Sequence, residues 1–141
     1  MKRFVHLIYV FVMSFGFSAI WELSQIGFYV INEDYKADIP QFLLAATRDS
    51  LIIIGTYLFL GLIHRNLKWE RWWTVTDTLI ILLTTLGTAI FSELRALNVG
   101  SLEYSAYMPI IPWLGTGILP TIQLTLTAFI VFYIAKDKLT A

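Results

Sequence analysis

Four long apolar blocks separated by short polar links constrain this 141-residue chain more than any other feature. A helix needs about 20 predominantly apolar residues, at ~1.5 Å of rise each, to cross the hydrocarbon core of a bilayer. A soluble chain of this length has room to bury one such block, not four. The chain therefore reads as all-α: a polytopic membrane protein, an antiparallel up-down bundle of four transmembrane helices at about 4–31, 40–62, 76–98 and 112–135, making a single membrane domain over 1–141.

Composition agrees and removes several function classes. Hydrophobic residues make up 57% and charged residues only 14%, where a soluble domain carries roughly a quarter charged. Ten basic residues balance ten acidic ones, so no basic field exists to attract nucleic acid. Cysteine is absent, which excludes disulfides, thiolate metal sites and iron–sulfur ligation. His6 and His64 lie at block boundaries away from any carboxylate cluster, and no GxSxG elbow, P-loop or dinucleotide fingerprint occurs. No metal and no cofactor are expected.

Met1-Lys2-Arg3 followed by FVHLIYVFVMSFGFSA imitates a secretory signal. Cleavage after Ala19 would place Phe17 where a small residue is needed, so the segment is expected to remain as the first helix. NEDYKAD forms the first link, Pro40 opens the second helix, and HRNLKWERWW forms the second link. Thr74, Thr76 and Asp77 are candidate caps for the third helix, which ends by Gly100. The stretch 101–112, with Tyr104, Tyr107, Pro109 and Pro112, reads as a loop at the water boundary. Pro120, inside the fourth block with Gly115 and Gly117 close before it, is expected to kink that helix or widen a pocket.

Lysine and arginine set the orientation, because cytoplasmic loops carry their excess. Lys2, Arg3, Arg65, Lys68, Arg71, Lys136 and Lys138 fall on one side, against Lys36 and Arg95 on the other. Both termini are thus expected in the cytoplasm, in a plasma or bacterial inner membrane. Trp69, Trp72 and Trp73 suit the cytoplasmic aromatic belt, and Tyr104, Tyr107 and Trp113 the outer one.

Ionisable groups inside a spanning helix cost about 2.5–3.5 kcal/mol each, so they face the protein interior and mark function or structural pairing. On helix one, Ser14, Ser18, Glu22, Gln25 and Tyr29 line one face. Helix two carries Arg48 and Asp49 with Thr56 beyond; helix three carries Thr84, Thr88, Ser92, Glu93 and Arg95; helix four carries Thr116, Gln123 and Thr127. At ~1.5 Å per residue these groups fall in the outer half of the bundle. Arg48 is the expected partner of Glu22 or Glu93. Three acids against Arg48 and Arg95 leave one acid without a basic partner, a candidate proton donor or acceptor. Asp77 is expected to act as a cap, and Tyr29, Arg95 and Glu103 to sit in the headgroup region.

In outline, four helices with embedded acids at Glu22, Asp49 and Glu93 resemble the four-helix sterol-isomerase and sigma-2-receptor superfamily. The resemblance covers topology and the placement of those acids, with no multi-residue motif beyond Trp21-Glu22 and Gln25. The leading reading of the residues is an outer-half pocket lined by Trp21, Glu22, Gln25, Arg48, Asp49, Glu93 and Gln123. It binds an amphipathic or lipid-like small molecule, with Glu22, Asp49 and Glu93 as candidates for acid–base catalysis. The alternatives are an oligomeric proton, ion or solute transporter, and a non-catalytic accessory subunit of a larger membrane complex.

Overall fold

The computed structural model describes residues 2–29, 39–100 and 103–138. Four helices carry the fold: α1 (Lys2–Ser24), α2 (Ile39–Ile63), α3 (Val75–Asn98) and α4 (Ile118–Lys138). All four are long and apolar enough to cross a membrane. Among the described residues there is no strand, only isolated bridges between Tyr29 and Tyr104 and between Ile110 and Gly117.

Each helix packs chiefly on its neighbours in sequence, and α4 also packs on α1, closing the ring; α2 and α3 meet more sparingly than the other sequential pairs. Helix α4 is the most enclosed: 56% of its apolar window is buried, against 22% for α1 and for α3. The start of α1 lies beside the end of α2, where His6 meets Tyr57. At the opposite end, Glu22 of α1, Asp49 of α2 and Gln123 of α4 come together. We call these the Trp69 end and the Tyr104 end.

The core runs down the middle through Val10, Ile53, Ile81, Leu124 and Ala128 to Trp69 and Phe132. Trp69 is fully buried, its ring among Tyr57, His64, Trp73 and Phe132, and its indole donates to the Tyr57 carbonyl at 3.0 Å. The expectation of a belt position for Trp69 is therefore corrected. The short 3-10 turn Trp69–Trp72 folds its indole inward, whereas Trp72 is exposed.

Sequence chemistry explains the helix ends. Thr74 Oγ1 accepts from the Asp77 amide at 3.3 Å and the Asp77 carboxylate accepts from the Thr74 amide at 2.9 Å, a capping box that starts α3. Asp77 thus serves as the expected cap, and it also meets His64 Nε2 at 2.8 Å. Helix α2 stops in a Schellman motif, with Asn66 N–H donating to the Gly61 carbonyl and Arg65 N–H to the Leu62 carbonyl. Arg65 takes the left-handed position usual for glycine, at φ 53°, which costs roughly 1–2 kcal/mol.

Two expected boundaries change. Helix α1 ends at Ser24, not near 31: the Gln25 amide is shared between the Trp21 and Glu22 carbonyls, and a 3-10 turn over Ile26–Phe28 follows. The Phe28 carbonyl then accepts from Ser105 N–H at 2.9 Å, drawing this segment onto the chain before α4. Helix α4 begins at Ile118, not near 112. Residues 109–118 instead form a turn closed by Ile111 N–H to the Thr116 carbonyl and Ile118 N–H to the Pro109 carbonyl, with Gly115 at φ +81°. Pro120 consequently lies in the first turn of α4, where proline removes no intrahelical bond, and the expected kink has no cause. The first link, including Lys36, lies outside the described residues.

Candidate functional site

The inner face of α1 is read by its spacing. His6, Val10, Ser14, Ser18 and Gln25 are all buried, one turn apart or nearly so, and Glu22 continues the row half-buried. At the Tyr104 end this row meets α2 and α4. Gln123, in the second turn of α4, donates through Nε2 to Glu22 Oε1 at 3.0 Å and to Asp49 Oδ2 at 3.1 Å. One amide thereby joins two carboxylates from two other helices.

Glu93 of α3 supplies the third acid. It lines the same small chamber as Glu22, Arg48, Asp49 and Gln123, walled also by Ile52, Ala89, Ser92, Pro120 and Leu124. Its volume is about 20 Å³, enough for one water-sized group and far below the several hundred Å³ that enclose a whole drug-sized ligand. Glu93 Oε2 accepts from the Tyr104 phenol, which in turn accepts from Gly117 N–H at 3.0 Å. Burial pushes the Tyr104 phenol above its ordinary range and the Glu93 bond adds to the rise, so Tyr104 stays protonated and its O–H donates a hydrogen bond to the carboxylate. The ring of Tyr29 packs on Tyr104, 5.8 Å between centroids, and burial followed by the charge of Glu93 pushes its phenol up as well.

The expected pairing of Arg48 with Glu22 or Glu93 is corrected. Its guanidinium borders their chamber but makes its ion pair with Asp49, at 3.5 Å, and its side chain is 56% exposed. Adjacent residues on a helix do not face each other, so this contact is long and partly in solvent. Among the described residues, three carboxylates thus line a chamber with one weakly held guanidinium. Unless the difference is met by protons or a cation, negative charge is left in excess.

Trp21 and Gln25, expected in the pocket, do not line the chamber. The Trp21 indole N–H, both Gln25 amide atoms and Ser18 Oγ are buried without a hydrogen-bond partner. With His6 Nδ1, these are all the unpartnered buried side-chain polar atoms among the described residues, and all belong to α1 or the residue after it. Buried polar groups are nearly always satisfied, so this face of α1 has unused hydrogen-bonding capacity next to Glu22.

A second polar cluster at the Trp69 end was not foreseen. His6 Nε2 lies 3.1 Å from Glu70 Oε1, and the Tyr57 hydroxyl stands between His6, Glu70 and the Leu67 carbonyl. His6 and Glu70 are 2% and 1% exposed. Each histidine meets a single carboxylate and neither reaches the three-acid chamber: the link after α2 folds back and carries Glu70 to His6, while the α3 cap carries Asp77 to His64. Among the described residues no three of these side-chain types gather as a metal site would require.

Tyr104 is the other residue that sequence reasoning missed, having placed it in the outer belt. The available signal was a tyrosine in a stretch dense in proline and glycine just before α4, where a turn directs it back onto α3. Compared with protein-family models, curated proteins and solved structures, the chain matches none.

Proposed function

We propose that this chain is an integral membrane protein, an up-down bundle with both termini cytoplasmic, that binds the cationic head of an amphipathic small molecule at the Glu22–Asp49–Glu93 cluster. The excess of carboxylates over guanidinium carries the reading. Burying like charges together is costly, and an ammonium group relieves the cost by entering where the negative potential is greatest. A chamber of about 20 Å³ suits a primary ammonium, close in size to water, and refuses a trimethylated one. The apolar body would lie outside it, on the side of α2 and α3, the sequential pair that packs most sparingly. The unpartnered groups of Ser18, Trp21 and Gln25 offer hydrogen bonds to polar atoms beside the amine. Orientation follows Arg3, Arg65, Lys68, Arg71 and Lys136, which share the Trp69 end.

The water-sized chamber also favours a second reading, in which the cluster passes protons across the membrane. The two separate in one comparison. The protein in lipid nanodiscs is titrated with a long-chain primary amine, the matching alcohol and the matching trimethylammonium compound, and binding is read by native mass spectrometry. Selective retention of the primary amine, lost in Glu22→Gln/Asp49→Asn/Glu93→Gln, is the expected result. Equal retention of amine and alcohol, or no effect of the triple variant, ends the ligand reading. Proton flux in liposomes that the same variant abolishes, without amine binding, would install the second.

A further inference from the structure

A groove of about 770 Å³ opens at the Trp69 end, where the start of α1 passes the end of α2. It is lined by two arginines, Arg3 and Arg65, by Asn66, and by the apolar side chains of Leu58, Leu62 and Leu67. Neither arginine makes an ion pair among the described residues. Two carboxylates at this end are already engaged, Glu70 with His6 and Asp77 with His64. Two free forks over a hydrocarbon surface are complementary to an anionic head that carries an aliphatic chain.

The backbone favours this arrangement at the expense of local comfort. Arg65 occupies the left-handed position of the Schellman motif, φ 53°, where glycine would be unstrained. Leu67 folds back over Gly61, where an added Cβ would stand 3.2 Å from Leu67 Cδ2. The close approach at Gly61 keeps Leu67 against α2 and leaves Leu62, 76% exposed, as an open apolar strip leading away from Arg65 toward Leu58.

We propose that this groove binds an anionic phospholipid, its phosphodiester held between Arg3 and Arg65 and one acyl chain along Leu62 and Leu58. Basic pockets at the cytoplasmic ends of spanning helices take anionic headgroups for the same reason. A zwitterionic choline lipid brings its own cation toward two guanidinium groups and is disfavoured. The inference rests on the membrane reading above, but not on the carboxylate site, which lies at the other end of the bundle.

The full chain is reconstituted into vesicles of phosphatidylcholine and phosphatidylglycerol, gently extracted, and its retained lipid quantified by mass spectrometry. The wild type should retain phosphatidylglycerol in preference. Arg3→Gln/Arg65→Gly should lower that preference about 30-fold, at roughly fivefold per basic side chain near a membrane surface. Arg65→Gly relaxes the backbone, so the variant stays folded, and circular dichroism confirms it. Arg65→Lys keeps the charge without the fork and should fall between. Equal retention of both lipids by the wild type, or an unchanged preference in the double variant, overturns the site. A chain that does not float with vesicles at all removes the membrane reading instead.

Discussion

The two polar clusters differ in how their acids are answered. At the Trp69 end, Glu70 faces an imidazole and a phenol, is 1% exposed, and follows a tryptophan with no exposed surface. At the Tyr104 end, three carboxylates border a chamber whose single guanidinium is more than half in solvent, and buried donors and acceptors beside them lack partners. A cluster whose charges are met internally holds helices together. One whose charges are not met internally takes up protons or a cation, and that asymmetry is the argument for placing function at the Tyr104 end.

The largest test of the comparison removes Trp69. Trp69→Ala should destabilise the protein by about 3–5 kcal/mol, read by circular dichroism during denaturation in mixed micelles. A loss under about 1 kcal/mol would show that Trp69 does not anchor that end of the bundle.

Next in size is Glu70→Ala, which strands the buried His6 and Tyr57 groups and should cost roughly 1–3 kcal/mol. The Glu22→Gln/Asp49→Asn/Glu93→Gln variant should do the opposite: stability within about 1 kcal/mol of wild type or above it, with amine binding lost. If three neutralised acids destabilise the bundle as much as Glu70→Ala does, the two clusters are alike and both are structural.

Why one cluster was legible from sequence and the other was not follows from what builds each. Glu22, Asp49, Glu93 and Gln123 are polar residues within long apolar runs, where each stands out against its own helix, and Ser14 and Ser18 mark the face by their four-residue spacing. Their convergence through Gln123 required the fold, since spacing does not say how helices rotate. His6, Glu70 and Trp69 lie at block edges, where an aromatic or charged residue is ordinary. Their meeting depends on a link that reverses over Gly61 through Arg65 at φ 53°, a conformation that an arginine does not announce. The late start of α4 had a visible signal in Pro109, Pro112, Gly115 and Gly117, outweighed by the continuous apolar character of the stretch.

Tyr104 offers a smaller effect. Tyr104→Phe removes the donor to Glu93 and the acceptor for Gly117 N–H, at a cost of about 0.5–1.5 kcal/mol. The folded phenol lies above its unfolded value of 10.0, so its contribution is complete below that pH and is lost as pH rises through the folded value. Alkaline denaturation profiles of the two proteins should therefore converge as pH rises beyond the ordinary phenol range. Parallel profiles would show that the phenol does not hold α3 to the turn before α4.

The smallest change in stability sharpens the comparison most. Arg48 is exposed and its ion pair with Asp49 is long, so Arg48→Gln should alter stability by about 0–1 kcal/mol. It nevertheless removes the only fixed cation among the described residues that line the chamber. If an incoming ammonium is what answers the carboxylates, Arg48 competes with it, and Arg48→Gln should bind the primary amine more tightly than wild type in the same nanodisc titration. Weaker binding would mean that Arg48 assists the ligand, through a phosphate or carboxylate carried beside the amine, and the ligand class would have to be redrawn as zwitterionic.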